Sequence, residues 1–327
     1  MSGSDGGPIH NAIEESFMRV RSNLSGVVSA LLAAFVLQLA ASQTLAQEEL
    51  RWKFKEGEKL DYTMIQDMTI GTMGGPLGAQ NVVMHQEMEM TWDVAGVNND
   101  GDAVIKQKFE RIKMKMTLPP PLGGFEYDTK SDAAPAGPAA MLAPMYKKMT
   151  EGEFELTMTS RGEIKDVKIP DEVLKTLQNS PGAAALGEMA TPEGFKKMIA
   201  QGALVLPENA PKQGEDWSTK VEVNNPMAGK QVIETTYKYV GNKDVEGVNY
   251  AVFEPTLTMT FEGTPQLQMK VSEQESGGEI LFNVEAGRLH SSKLDQKVTI
   301  DVSVGGQTMQ QKIDQTIDVK VSPAGAK

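Results

Sequence analysis

A mainly β fold is what this sequence predicts: a long curled antiparallel sheet or open barrel. It is expected to consist of two related meander halves with a small helical connector or lid. Three observations predict it. Apolar and polar residues alternate with period two over unusually long runs. Stretches of the chain match one another at nearly constant offsets. Helical start and stop signals are concentrated between the matched parts.

The chain of 327 residues opens with an N-terminal extension. From Met18, the residues Arg19 and Arg21 supply a basic start, and Leu24 to Ala41 an apolar core. Thr44-Leu45-Ala46 is a small-residue cleavage site, so 1–46 reads as an extension plus signal peptide. Retention as an uncleaved anchor is the alternative, although the core is barely long enough to span a bilayer. An exported protein, periplasmic or extracellular, is therefore expected, with no transmembrane segment after cleavage. The chain has no cysteine, so it carries no lipoprotein anchor and no disulfide, and its own core must hold the fold. The extension contains three acids and two bases, which leaves 44 − 3 = 41 acids against 32 − 2 = 30 bases, a balance of −11. An acidic chain excludes nucleic acid as a partner and disfavours anionic membrane surfaces.

The strands follow in order. Leu60, Tyr62, Met64, Met68 and Ile70 share one face of the first. Met84, Met88, Met90, Trp92 and Val94 share one face of the second. Ile105 and Phe109 hold odd parity and Ile112, Met114 and Met116 even parity, which places a β-bulge near Glu110–Arg111. "EMTWDVAG" (89–96) then matches "ETTYKYVG" (234–241), and Ile112, Met114 and Met116 fall on Leu257, Met259 and Phe261, both at offset 145. "KEGEKL" (55–60) matches "KQGEDW" (212–217) at offset 157, and "MTSRGEIKDV" (158–167) matches "NVEAGRLHSS" (283–292) at offset 125. The offsets change at two glycine- and proline-rich stretches, 71–82 and 119–149, which read as inserted loops. The expected organisation is a first half at 47–170, a helical connector at 171–205 and a second half at 206–327, the halves forming one domain.

Inside the connector, Asp171 to Leu177 reads as a short helix. Thr191 as N-cap, Pro192 at the first helical position and Gly202 past the last turn delimit another, with Phe195, Met198 and Ile199 as its apolar stripe. "AAMLAPMYKKM" (139–149) adds a third helix, expected to break near Pro144. The last hairpin turns at Gly305-Gly306. Val304 then faces Gln307, and every further pair sums to 611: Val302 with Met309, Ile300 with Gln311, Val298 with Ile313, Gln296 with Gln315. Strands of about 14 residues reach roughly 45 Å at ~3.3 Å per residue. That length suits a large curled sheet whose concave side is incompletely packed.

Chemistry-bearing motifs are few. Of three histidines, His85 lies on the face opposite Met84, Met88 and Met90, with Glu87 and Glu89, and His290 enters the last hairpin. No paired base and nucleophile can be named. "NNDGDA" (98–103) offers alternating oxygen atoms but no following bidentate acid, so it reads as a hairpin turn rather than a calcium loop. No metal site, catalytic residue or cofactor is assigned. Methionine is over-represented, 20 residues against 16 for Phe and Tyr together. Three readings exist: a soft Cu(I) site, flexible core filler, or an adaptable lining for apolar ligands. The nearest histidine, on the wrong face, disfavours copper. The candidate lining residues are Met64, Met88, Met114, Met259 and Met309, with Gln296, Gln311 and Gln315 as polar members of the same face.

The pieces "KEGEKLDYTM", "APKQGEDW" and "NVEAGRLHSSKL" resemble an uncharacterised family of exported β-rich bacterial proteins, frequent in planctomycetes, known only as a domain of unknown function. The resemblance covers about residues 50–321 and brings no activity or catalytic residue with it. A helical lid on a long curled sheet is also similar in architecture to periplasmic lipoprotein carriers. The leading expectation is a non-enzymatic exported protein that binds an apolar ligand or an envelope partner on a concave, Met-lined face. An envelope or surface protein with a filled core is the alternative. An acid-dependent hydrolase using Glu87, Glu89 or His85 is the third reading.

Overall fold

In the computed structural model the described residues are 49–73, 79–121, 123–179, 188, 191–225, 229–264, 267–304 and 306–325. All of them lie in the unit Glu49–Lys327, and the expected signal peptide lies outside them. Twelve strands form a single sheet. They are β1 (Lys59–Met73), β2 (Gln80–Val97), β3 (Ala103–Thr117), β4 (Gly124–Asp128), β5 (Glu153–Met158), β6 (Ile164–Lys168), β7 (Asp216–Asn225), β8 (Gly229–Val245), β9 (Val248–Glu262), β10 (Leu267–Asn283), β11 (Arg288–Val304) and β12 (Gln307–Pro323). Three helices are seen among the described residues: α1 (Ala139–Glu151), α2 (Asp171–Asn179) and α3 (Pro192–Gly202).

The strand order is β6-β5-β3-β2-β1-β12-β11-β10-β9-β8-β7, with β4 beside β3, and every pair is antiparallel. The sheet is open, as expected, and ends at β6 and β7. Helix α3 touches both edge strands, so the sheet curls until one helix bridges its two ends. Phe195 of α3 is buried and stacks on Phe154 of β5, with ring centroids 5.7 Å apart. The segment before β1 crosses the same region. Trp52 N donates to Ser160 O and Lys53 N to Gly287 O, both at 2.8 Å, tying the β5–β6 turn to the β10–β11 turn. The main core therefore joins residues from both edges of the curl, including Ile105, Phe154, Leu156, Leu206, Phe253 and Phe282.

Each half threads its strands in chain order, β1-β2-β3-β5-β6 and then β7-β8-β9-β10-β11, while β12 returns to pair with β1. Local details recur at the offsets read in the sequence. Gly57 N donates to Val94 O at 2.8 Å, and Gly214 N to Tyr239 O at 2.7 Å. Val94 N returns to Glu58 O, and Tyr239 N to Glu215 O, both at 2.9 Å. Both glycines have positive φ, 78° and 86°, which a turn of this kind reserves for residues without a Cβ. The pairing register slips between Val94 and Gly96 in one half and between Tyr239 and Gly241 in the other.

Several expectations hold in detail. Every β11–β12 pair sums to 611, from Val304↔Gln307 to Ser291↔Lys320. The bulge predicted near Glu110 is present, because Glu89 faces Arg111 while Met90 faces Phe109. Thr191 caps α3, its hydroxyl accepting from Gly194 N at 3.2 Å. Other expectations need correction. Helix α1 is not broken at Pro144, because Ala139, Ala143 and Tyr146 are buried on either side of it. That packing offsets the one lost bond to the Ala140 carbonyl. Gly202 is the last residue of α3 rather than the one after it. Met198, assigned to the apolar stripe, is 45% exposed; Gly194 is buried beside Phe195 instead. In the stretch 71–82, residues 71–73 and 80–82 are strand, with pairing out to Thr72↔Gln80, and 74–78 lie outside the described residues. The stretch 119–149 contains β4 as well as loop and helix.

Candidate functional site

The strand registers sort every side chain to one of two faces. On the inner face, which carries the core and the helices, β1 presents Leu60, Tyr62, Met64, Gln66, Met68 and Ile70. Its neighbours present Trp92, Met90, Met88, Gln86, Met84 and Val82 from β2, and Val321, Val319, Ile317, Gln315 and Ile313 from β12. The rows continue through Ile112, Met114 and Met116 of β3 and Leu294, Gln296, Val298 and Ile300 of β11. In the second half, Trp217, Tyr237 and Pro255 form one row and Val221, Ile233 and Met259 another. Among the described residues of these rows there is no Asp, Glu, Lys, Arg or His. Their polar members are amides and hydroxyls.

The outer face is the opposite. Asp67, His85 and Lys115 lie side by side, as do Glu87 and Lys113. Lys113 Nζ donates to Glu87 at 2.8 Å, and Arg111 holds Asp128 through Nε at 3.0 Å. These contacts depress the carboxyls of Glu87 and Asp128 below the ordinary range. His85 sits with Nδ1 2.7 Å from Asp67 and Nε2 3.4 Å from Glu87; the Asp67 hydrogen bond, above all, raises its pKa. His85 is therefore one member of a solvated ion ladder, as its strand parity predicted. In the 98–103 turn, Asn98 Oδ1 accepts from the amides of Asp100 and Asp102 at 2.9 Å, and Asp102 pairs with Lys165. These oxygens close a hairpin.

The eight lining residues named from the sequence do not form one cluster. Met64 and Met88 face each other across β1 and β2, with Met114 two residues further along β3 from Ile112, the partner of Met88. Met114 is buried, and the Tyr146 hydroxyl of α1 lies 3.9 Å from its sulfur. Burial pushes that phenol up to about 12. Met84 is buried in the same core. Met114 fills space under the helix, and Met84 fills the core between its row partners Met68 and Met116. Met64, Met259 and Met309 are half-buried and lie apart: Met259 sits on β9 with Gln231 Nε2 3.1 Å from its sulfur, and Met309 faces Val302 near the far hairpin. Gln311 faces Ile300 on one side and Thr72 on the other.

Gln296 and Gln315 do come together, and a third amide joins them. Gln66 Nε2 donates to Gln315 Oε1 at 3.1 Å, and Gln315 Nε2 donates to Gln296 Oε1 at 2.5 Å. The sequence signal for Gln66 was its parity, between Met64 and Met68 on one strand. Gln296 is only 3% exposed, and its Nε2 is fully buried with no hydrogen-bond partner. The row through this pair reads Phe125, Met116, Met84, Met68, Gln315, Gln296, Ser276. An amide pair thus interrupts a thioether shelf. Beyond Phe253↔Ile280 the β9–β10 ladder ends. There Ser276 Oγ accepts from Leu257 N at 2.7 Å and donates to Leu257 O at 2.9 Å, and Gln274 Oε1 accepts from Met259 N at 2.8 Å. Side chains replace a backbone ladder along this seam.

Fold and site together define a class: an open, curled antiparallel sheet with a charged outer face and a neutral, Met- and Gln-bearing inner one. The chain belongs to a family of unknown function, DUF6263, whose model matches residues 100–272. The resemblance seen in the sequence to an uncharacterised domain is thus borne out. No curated protein matches the sequence. Among solved structures, the chain is similar to one described as lipid–protein interactions in lipovitellin, at 11% identity and a TM-score of 0.44. That match covers 84% of this chain but 26% of the other, so the chain spans about a quarter of its length. An outer membrane channel from Pseudomonas putida F1 matches at 7% identity and a TM-score of 0.26, covering 86% of this chain and all of that one. A putative outer membrane lipoprotein-sorting protein domain from Vibrio parahaemolyticus matches at 7% identity and a TM-score of 0.15, over 81% of this chain and 86% of that one. Likenesses this distant bring no ligand or role to the chain. No helix among the described residues is long and apolar enough to cross a membrane.

Proposed function

We propose that this is an exported, non-enzymatic protein that binds an apolar, uncharged ligand against the inner face of its sheet. The observation that carries the reading is the division between the faces: one holds a ladder of ion pairs, the other no Asp, Glu, Lys, Arg or His among its described rows. A buried charge would need a paired partner or a large desolvation cost. A lining without charges favours a ligand without charges. Length supports the reading. Strands β10, β11 and β12 each have 17 residues, roughly 55 Å at ~3.3 Å per residue, well beyond what the packed end of the curl uses. Met64, Met259 and Met309 remain half-buried on this face, where unbranched thioethers can adapt to varied surfaces.

Within this reading Met64 and Met88, which face each other across β1 and β2, line the ligand, Met259 and Met309 line separate parts of the same face, and Gln296, Gln311 and Gln315 are its polar members. Met114 acts from beneath, as support under α1. The leader at 1–46 directs export, and the two halves descend from one duplicated meander, supported by the paired turns at Gly57 and Gly214. The second reading, a filled-core envelope protein, is favoured by the dense packing around Trp52, Phe154 and Phe282. Mass spectrometry of an organic extract of the protein, secreted with its own leader, separates the two. The binding reading predicts a neutral apolar species near one per chain. An extract without bound molecules contradicts it and favours the filled core.

A further inference from the structure

We infer that the end of the sheet remote from α3 docks on a lipid bilayer whose surface is neutral overall, with its hairpin ends entering the bilayer only shallowly. The inference rests on both faces of the sheet and goes beyond the ligand reading, on which it does not depend.

Strand directions place five connections at this end, those joining β1 to β2, β3 to β4, β7 to β8, β9 to β10 and β11 to β12. In the sequence, the stretches that contain them are 71–83, 116–125, 223–229, 263–269 and 302–311. None of the five holds an Asp, Glu, Lys, Arg or His. Charged residues make up 23% of the chain, so their exclusion from five separate stretches is a property of this end. The turns at the opposite end each carry charge: Asp100 in 98–102, Arg161 in 159–163, Glu246 in 246–247 and Glu285 in 284–287.

The described residues repeat the contrast in space. On the outer face of β2 the ion ladder runs through Glu89, Glu87 and His85 and then gives way to Val83, which is 45% exposed. On β1 the outer positions pass from Asp67 through Thr69 and Gly71 to Met73, which is 41% exposed. Pro120 and Pro121 are exposed after β3, and Leu118, Phe125 and Leu267 are half-buried at the same end. Ligand binding on the inner face requires no loss of charge from the outer one. Here both faces lose it together, as contact with an apolar medium outside the molecule demands.

Charges return just behind the hairpin ends, and they return in pairs. Lys230 Nζ lies 3.0 Å from Glu222 and 3.7 Å from Glu262, and Lys115 Nζ lies 2.6 Å from Glu126. These pairs set the depth of entry. Two or three residues of each strand can pass the headgroups, ~7–10 Å at ~3.3 Å per residue, which reaches the boundary with the acyl chains. A specific protein partner is selected by complementary charge, and the five stretches offer charge of neither sign. A bilayer needs no such match. The acidic balance of the chain opposes anionic lipid, so the surface is one of zwitterionic lipid.

The test uses the protein secreted with its own leader and two kinds of vesicle, phosphatidylcholine alone and phosphatidylcholine with phosphatidylglycerol. Co-sedimentation is expected with the first, with little dependence on salt, and weaker with the second. The double variant Met73→Ser, Val83→Ser should lose about 10- to 100-fold in affinity, the range that withdrawing two half-exposed apolar side chains supplies. Val245→Ser, at an exposed valine of the opposite end, should lose nothing. Val83→Trp gives a second reading that needs no loss of binding. Brominated phosphatidylcholine should quench the tryptophan it introduces and spare Trp52, Trp92 and Trp217, which lie toward the α3 end. Absence of binding to phosphatidylcholine overturns the inference, as does equal binding by wild type and the double variant. Quenching of the native tryptophans in place of the introduced one overturns it too. Binding that needs phosphatidylglycerol and fades with salt assigns the contact to charge and overturns it. A dimer that the double variant dissolves, without vesicle binding, assigns this end to a second copy of the chain and also overturns it. An organic extract without bound molecules, beside intact vesicle binding, sinks the ligand reading and leaves this one standing.

Discussion

At the scale of single residues, parity on a strand decides chemistry here. Moving one residue along β1, from Gln66 to Asp67, passes from an amide relay to an ion ladder. His85 belongs to the ladder, and its titration gives a prediction. Asp67 and Glu87 stabilise its protonated form and raise its folded pKa above the unfolded value of about 6.5. That contribution is fully present below about pH 6.5 and is lost as pH rises through the higher folded value. His85→Gln should therefore flatten the fall in stability over that window. The pair is well exposed, so the change should stay within the ~0.2–1 kcal/mol typical of surface ion pairs. Urea melts of both proteins from pH 5 to 9 measure it; a parallel loss in the variant would show that His85 is uninvolved. Gln296 and Gln315 were legible in the sequence because a two-residue turn fixes the register of a long hairpin. Gln66 was not singled out, because one glutamine between two methionines reads as an interruption until β12 is laid beside β1. That pairing joins the two ends of the chain, and no local pattern encodes it.

At the scale of elements, the alternating strands and the capped helix α3 were legible because each is specified by its own residues. Thr191 and Pro192 set the helix start without help from elsewhere. The five-residue β4 was not. Its "GFEYD" stands in a Pro- and Gly-rich stretch and becomes a strand by pairing with the end of β3. Pro144 misled for the same reason: tertiary burial of α1 outweighs one missing hydrogen bond. The matching turns before β1 and β7 give an element-scale prediction. If "KEGEKL" and "KQGEDW" are two copies of one device, exchanging the short pieces Lys55–Glu58 and Lys212–Glu215 should change stability by less than ~1 kcal/mol, as substitutions that keep turn geometry do. Thermal melts of the swapped chain check it. A loss of several kcal/mol would mean that the two turns share a shape without sharing a role.

At the scale of the whole molecule, the sheet stays open because its edges, β6 and β7, meet α3 instead of each other. Strand length exceeds what the packed end needs, and the surplus is a two-sided sheet, one side carrying ion pairs and the other no charged side chain among its described rows. The curl was legible as a class from strand length alone. The order β1-β12, which places the amide relay, was not. The central claim is that the neutral inner face selects uncharged apolar ligands. Its most direct measurement is the ratio of affinities for a matched pair of probes, methyl oleate and sodium oleate, at pH 9, where the acid is ionised. The face described here predicts at least about a tenfold preference for the ester, because the carboxylate would be desolvated without a partner. Equal or tighter binding of the carboxylate would contradict it.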